Sequence, residues 1–249
     1  MKIKLGDFNK LADAYKKSRP GYSKDIGIFF RKIFKKKPNS LDLGSGTGIF
    51  TKELSKFSKK IIGVEPSSEM IKNAYKSRNI SYKNTSGEKI RLKNKFDLIT
   101  AASCFHWLDD KKISKTINFH LKDKGYFFIT YNSRDISENN FLKRVENKII
   151  KLNKKFKKRV SSGSSKYVKS KVYKFSKISK LNGPINLQFV HYEFFSKKRY
   201  ITAWESSNEF RNKIGEKNFK DFINWIDKEF PKKKIKAKYF NNCWLFQKN

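Results

Sequence analysis

The sequence predicts an α/β fold, a doubly wound and mostly parallel sheet of seven strands with helices on both faces. Three observations carry this reading. Apolar runs of strand length recur at residues 40–43, 61–64, 80–83, 96–102 and 126–131. Segments with helical apolar spacing separate them by short connections, the alternation that builds parallel sheets. The first run opens directly into Gly44-Ser45-Gly46-Thr47-Gly48 and then into helical spacing. In such a strand–loop–helix only residues without a Cβ can bend so tightly and still admit a ligand against the amides. Two further strands, 185–195 and 235–246, follow a helical stretch.

Taken in order, residues 8–22 read as a short helix broken by Pro20-Gly21. Ser23 can cap a helix whose apolar residues Ile26, Phe29, Phe30, Ile33 and Phe34 fall at i, i+3, i+4, i+7 and i+8. Past the glycine loop, Phe50, Leu54 and Phe57 line one helix face. The second strand ends at Glu65, and Ser67 or Ser68 caps a helix carrying Met70, Ile71 and Ala74. Asp109 or Asp110 opens a helix with Ile113, Ile117 and Leu121, which Gly125 is expected to stop. Phe141, Leu142, Val145, Ile149, Leu152 and Phe156 mark a long helix, and residues 157–171 a basic, serine-rich loop. Two helical segments, 201–214 and 219–230, precede the last strand.

A net charge of +37, from 59 basic and 22 acidic residues, invites a nucleic-acid reading. Of the basic residues 50 are Lys and 9 Arg, alongside 21 Asn and 7 Ala. Lys, Asn, Ile, Phe and Tyr share A/T-rich codons, and the lysines run along the whole chain. Compositional drift therefore competes with selection for an anionic partner. The first residues hold no apolar core of signal-peptide length, and no run of about 18 apolar residues appears, so no membrane span is expected. Cys104 and Cys243 stand in no metal-ligand spacing, which fits a reduced, cytoplasmic setting without a metal site.

Asp42 closes the first strand and Glu65 the second. A carboxylate at Glu65 can accept hydrogen bonds from both hydroxyls of a ribose. Dinucleotide sites share that carboxylate, so the discriminating feature is the loop spacing, G-x-G-x-G in place of G-x-G-x-x-G.

The segments Asp42-Leu43-Gly44-Ser45-Gly46-Thr47-Gly48, Val64-Glu65-Pro66-Ser67-Ser68-Glu69-Met70 and Phe96-Asp97-Leu98-Ile99-Thr100 resemble the motifs of class I S-adenosylmethionine-dependent methyltransferases. The tract Ala101-Ala102-Ser103-Cys104-Phe105-His106-Trp107-Leu108-Asp109 is similar to the His-Trp motif of a small-molecule subgroup that includes trans-aconitate methyltransferase-like proteins. Ala14-Tyr15 and Arg19-Pro20-Gly21-Tyr22 fit the same subgroup. The likeness covers residues 8–131.

This resemblance implies a Rossmann-like sheet with an antiparallel C-terminal strand, S-adenosyl-L-methionine as cofactor and S-adenosyl-L-homocysteine as product. It implies that Gly44, Ser45 and Gly46 bring backbone against the methionine and ribose portions. Asp42 would lie near the methionyl amine, Glu65 on the ribose and Met70 against the adenine. Ser86 and Gly87 would stand at the adenine edge, Ser86 where many relatives carry Asp, and Ala102 would offer its carbonyl to the amine. The organisation expected is a single domain, residues 1–249. Within it, 1–37 is a helical segment over the site, 38–131 the cofactor-binding core, 132–184 a helical and basic insertion or lid, and 185–249 the completion of the sheet.

Methyl transfer from a sulfonium is an in-line displacement, so the protein mainly aligns the acceptor and excludes water. A hydroxyl or carbon acid needs a base, for which His106 is the candidate, whereas a carboxylate acceptor needs none. The competing role for His106 and Trp107 is a packed pocket wall. Tyr15 and Arg19 are candidates to close over the acceptor, Arg19 pairing with a carboxylate or lying on a helix surface. Trp204, Trp225, Trp244, His120 and His191 read as packing residues. A small metabolite is the expected acceptor, RNA or protein the alternative, and a cofactor-binding protein without turnover the third reading. The oligomeric state is left open.

Overall fold

The computed structural model describes residues 12–153 and 166–249. In chain order the elements are α1 (Ala12–Ser18), α2 (Lys24–Ile33), β1 (Asn39–Leu43), α3 (Ile49–Ser55), β2 (Lys60–Glu65), α4 (Ser68–Lys72) and β3 (Ile80–Asn84). There follow β4 (Phe96–Ala102), a 3-10 turn (Phe105–Trp107), α5 (Asp110–His120), β5 (Leu121–Asp135), α6 (Asn140–Leu152) and α7 (Lys166–Ile178). The chain closes with β6 (Asn182–Phe195), α8 (Lys197–Glu205), α9 (Asn208–Ile214), α10 (Glu216–Glu229) and β7 (Ile235–Gln247). The strands form one seven-stranded sheet in the order β3-β2-β1-β4-β5-β7-β6. β1 to β5 run parallel, and β7 enters antiparallel between β5 and β6.

Alternation along the strands divides the core into two layers. Leu41 and Leu43 of β1, Ile99 and Ala101 of β4, and Phe127, Ile129 and Tyr131 of β5 pack with Ile113 and Ile117 of α5 and Val168, Val172 and Phe175 of α7. On the other face Leu98 and Phe128 pack with Ile26 and Phe30 of α2 and Phe50 and Leu54 of α3. A third cluster gathers α6, α8, α9 and α10 around Phe195, Ile235, Ala237 and Tyr239. It sits where β5 ends and β7 begins, on the carboxyl side of the parallel strands. α1 packs on α8 and touches α4, so it crosses that same side. Among the described residues no helix is long and apolar enough to cross a membrane.

Several elements differ from expectation, each for a local reason. The helix after the His-Trp tract ends at His120, not at Gly125, because Leu121 turns extended and pairs with Phe96. The Lys248 ammonium donates to the Asn118 and Leu121 carbonyls at 3.0 Å each, satisfying the helix end. β5 runs on to Asp135 because β7 ladders with it that far, through the Asp135–Lys238 rung. Residues 166–171, read as loop, form the start of α7, whose Val168, Val172 and Phe175 fall on one buried face. Much of the stretch 132–184 thus builds the sheet and its covering layer. Phe156 and residues 157–165 lie outside the described residues, as does the start of the helix expected from residue 8. The expected helix 201–214 is two helices, divided after Ser206.

Candidate functional site

The carboxyl ends of β1, β2 and β4 meet at the glycine loop. Gly44, Gly46 and Gly48 have φ of 60°, 54° and 75°, the left-handed region that side chains disfavour. The loop is tied down by Ser45 N–H to the Val64 carbonyl at 3.0 Å and Gly48 N–H to the Ser45 carbonyl at 2.9 Å. A Cβ at Gly44 would come within 2.7 Å of the Cys104 Cβ, so that glycine admits the β4 tract against the loop. A Cβ at Gly46 would meet nothing within 4 Å. Gly46 therefore faces open space, whereas the Ser45 and Thr47 hydroxyls are buried, without a hydrogen-bond partner among the described residues, and the Ser45 Oγ lies toward Gly63.

Glu65 closes this cradle. Its Oε2 accepts the Gly46 N–H and its Oε1 the Ser67 N–H, both at 3.0 Å. Burial raises its pKa, while these two N–H donors oppose the rise. Each carboxylate oxygen keeps lone-pair capacity for a further donor. Asp42 has a different task. It is 1% exposed, and its two oxygens accept from Thr51 of α3 at 2.6 Å and Thr100 of β4 at 2.7 Å. Burial pushes its pKa up to about 6, against the pull of the two hydroxyls. Asp42 thus cross-links β1, α3 and β4 beneath the loop. Neither threonine carries a sequence signal, since the contact to Thr100 spans 58 positions.

Met70 is buried in α4, which Ser67 caps by accepting the Met70 N–H at 3.2 Å. The Ser86 carbonyl accepts from Lys89 and Ile90 N–H, closing a turn over the buried Gly87. Ala102 ends β4 half-buried. Ser103 follows at φ 55°, held by its N–H to the Thr130 carbonyl at 2.8 Å and by the Tyr22 phenol, 3.0 Å from its hydroxyl. Tyr22, which sequence reading passed over, thereby joins the N-terminal segment to the end of β4.

His106 is buried. The Tyr131 hydroxyl oxygen accepts its backbone N–H at 2.8 Å and lies 3.0 Å from its Nδ1. With the phenol proton donated to Nδ1, the ring hydrogen falls on Nε2, an assignment made from these two contacts. Burial, reinforced by the Lys171 charge, lowers the His106 pKa to about 4. Lys171 is itself held by the Leu108 carbonyl at 2.7 Å and Asp110 at 2.8 Å. Trp107 stands beside His106, ring centroids 4.5 Å apart, but is 51% exposed and so is not a packed wall.

Tyr15 and Arg19 come together on the N-terminal segment. The Arg19 guanidinium lies 4.7 Å over the Tyr15 ring and donates to the Ser206 carbonyl at 3.3 Å, leaving its buried Nε–H without a partner. The segment is strapped down by Gly21 N–H to Glu193 at 2.8 Å, Asn132 to the Gly21 carbonyl at 2.7 Å, and Ser23 N–H to Asn241 at 2.8 Å. His120 is structural: its Nε2 accepts the Leu92 N–H at 3.1 Å and its Nδ1 meets the Thr116 carbonyl. Trp204 and Trp244 are buried in the core clusters.

The family model for a methyltransferase domain matches residues 15–158. A candidate methyltransferase of Dictyostelium discoideum is 33% identical over 144 residues, 57% of this chain and 55% of the relative. The chain spans about half the length of the curated relatives it matches. A candidate type II methyltransferase from Anaeromyxobacter dehalogenans has a TM-score of 0.62 at 14% identity, covering 92% of this chain and 97% of the other. A Haemonchus contortus phospholethanolamine N-methyltransferase, solved with phosphomonomethylethanolamine and S-adenosylhomocysteine, has a TM-score of 0.54 at 16% identity. That likeness covers 99% of this chain and 60% of the other. With more than half its length matched to the family model, and the sheet order and glycine loop in place, the chain belongs to the methyltransferase domain family.

Proposed function

We propose that this chain transfers the methyl group of S-adenosyl-L-methionine to a small metabolite, a carboxylate-bearing acceptor suiting Arg19. One observation carries the reading: the open space over Gly46, whose N–H is held by the Glu65 carboxylate. That arrangement fits the ribose of the cofactor, whose hydroxyls need a carboxylate acceptor and which needs room against the loop. Bound there, the cofactor would supply an electrophilic methyl on sulfur.

The chain's own residues bind, orient and exclude water. Glu65 offers its remaining lone pairs to ribose hydroxyls, and Asp42 holds the loop rigid from below. Tyr22 and Ser103 fix the end of β4, beside which the acceptor would lie. His106, with Nε2–H as donor, positions an acceptor oxygen better than it removes a proton. This favours an acceptor that is already a nucleophile. Arg19 would turn its free Nε–H to the acceptor carboxylate.

Calorimetry with S-adenosylhomocysteine tests the reading. The intact chain binds in the micromolar range, and Glu65→Ala or Gly46→Val abolishes binding. No binding to the intact chain would sink it. A second reading, RNA or protein as acceptor, draws on residues 147–192, which hold no Asp or Glu and include α7. A steep salt slope with RNA and RNA-dependent product would favour it.

A further inference from the structure

Among the described residues β6 ends the sheet, and no described strand covers its outer edge. Both edges of such a sheet are templates for pairing with another chain unless they are short or charged. The β3 edge is both, five residues with an exposed Lys83. The β6 edge is long and sparsely charged, with Glu193 as the one ionised side chain of the strand, paired to Arg199. It is 14 residues long and carries Ile185, Val190, Tyr192 and Phe194 at 61%, 40%, 44% and 57% exposure. Side chains cap two of its carbonyls: the Ser23 hydroxyl donates to Val190 at 3.3 Å and Arg199 to Phe194 at 3.0 Å. Both are even-numbered, so the even-numbered residues turn their backbone outward, and those at 186, 188 and 192 have no strand to meet.

Charge points to the occupant. Residues 181–196 form the longest stretch of the chain without Lys or Arg, 16 residues between Lys180 and Lys197. The next longest, 96–110 and 38–51, are strands and loops of the cofactor site, where burial excludes lysine. Burial cannot explain the gap at β6, because much of its side-chain surface faces water. Compositional drift favours lysine at exposed positions, so a 16-residue gap along a strand with exposed side chains runs against it.

We propose that two copies of this chain associate edge to edge along β6, about a two-fold axis that pairs the strand antiparallel with itself. Two bodies of charge +37 repel over most of their surfaces. They meet at least cost where cations are sparsest, which on β6 leaves Lys236 over Tyr192 and Arg199 at the Phe194 carbonyl as the charges flanking the contact. A two-fold contact is self-complementary, so one lysine-free strand is enough for both partners. An acidic protein partner would instead be drawn to the lysine-covered faces. The dimer places both glycine loops away from the axis, since β1 lies four strands in from β6.

Sedimentation equilibrium on the full chain tests this from about 1 to about 100 μM. The expected result is a monomer–dimer equilibrium that tightens about tenfold between about 0.1 and about 1 M NaCl, as the Debye length falls from about 10 to about 3 Å. Val190→Lys/Phe194→Lys weakens the dimer at least tenfold. Ile185→Lys, at the far end of the strand, does the same. In both variants the melting midpoint and S-adenosylhomocysteine binding match the parent, which separates lost association from lost folding. A monomer at every concentration and salt, a dimer indifferent to both variants, or association that weakens with salt overturns the proposal.

Discussion

The hydroxyl oxygen of Tyr131 lies 2.8 Å from the backbone nitrogen of His106 and 3.0 Å from its Nδ1, so one phenol fixes both the turn after β4 and the imidazole ring. Tyr131→Phe leaves a buried N–H and a buried ring nitrogen unpartnered at nearly constant volume. The expected cost is about 1–3 kcal/mol, or a melting midpoint lower by several degrees in a chain of this size. Thermal melts check this. Cofactor binding, which the proposed site assigns to the glycine loop and Glu65, is expected to stay within about twofold.

His106 is expected to stay neutral at physiological pH. Its pKa falls from 6.5 to about 4 on folding, because burial and then Lys171 disfavour the charged ring. The folded state therefore resists protonation. The penalty is absent above pH 6.5 and grows as pH falls toward 4. Relative to His106→Gln, the parent loses up to about 3 kcal/mol across that window. Denaturant melts of both proteins at stepped pH measure the difference, and parallel curves would refute it.

Asp42 gives the opposite slope. Burial raises its pKa from 3.8 to about 6, so folding favours the protonated acid. The penalty is absent below pH 3.8 and complete above pH 6. Relative to Asp42→Asn, the parent loses about 3 kcal/mol as pH rises from 4 to 6. Thr51→Val, removing the 2.6 Å donor, steepens that loss. The same melts check both variants.

Gly44 and Gly46 separate folding from binding. Both need left-handed backbone, which costs an alanine about 1–2 kcal/mol. Gly44→Ala adds a clash with Cys104, whereas Gly46→Ala adds none. Gly44→Ala is therefore the more destabilising in melts. Gly46→Ala lowers cofactor affinity about tenfold or more in calorimetry while costing only the backbone term.

Gly63 is a third glycine whose substitution separates packing from backbone cost. A Cβ there would come within 2.6 Å of the Tyr82 ring, which packs flat on β2 and donates to the Tyr75 carbonyl at 2.7 Å. Gly63→Ala is expected to cost about 1–3 kcal/mol, and Tyr82→Leu in the same chain recovers part of it.

The legible parts were those with a short-range pattern. The helix from Ser23 follows its 3.6-residue spacing, and Ser23 accepts the Asp25 N–H as a cap should. β4 matches its apolar run residue for residue. Gly125 misled because a glycine near a helix end resembles a stop, whereas the helix had already yielded to the Phe96–Leu121 pairing. Residues 166–171 misled because lysine and serine mask a helix whose buried face is only Val168, Val172 and Phe175.

By itself the sequence determined the sheet class, the glycine loop and the family, because strand–helix alternation and short motifs are legible along the chain. Tertiary structure decided the rest. It sent Asp42 to Thr51 and Thr100, gave His106 its tautomer through Tyr131, and joined Tyr22 to Ser103. It also put β6 at the edge of the sheet, with no described strand beyond it and two outward carbonyls capped by Ser23 and Arg199. The partners of Asp42, His106 and Tyr22 sit 9 to 81 positions away, and only packing at the carboxyl ends of the strands brings them within hydrogen-bond distance.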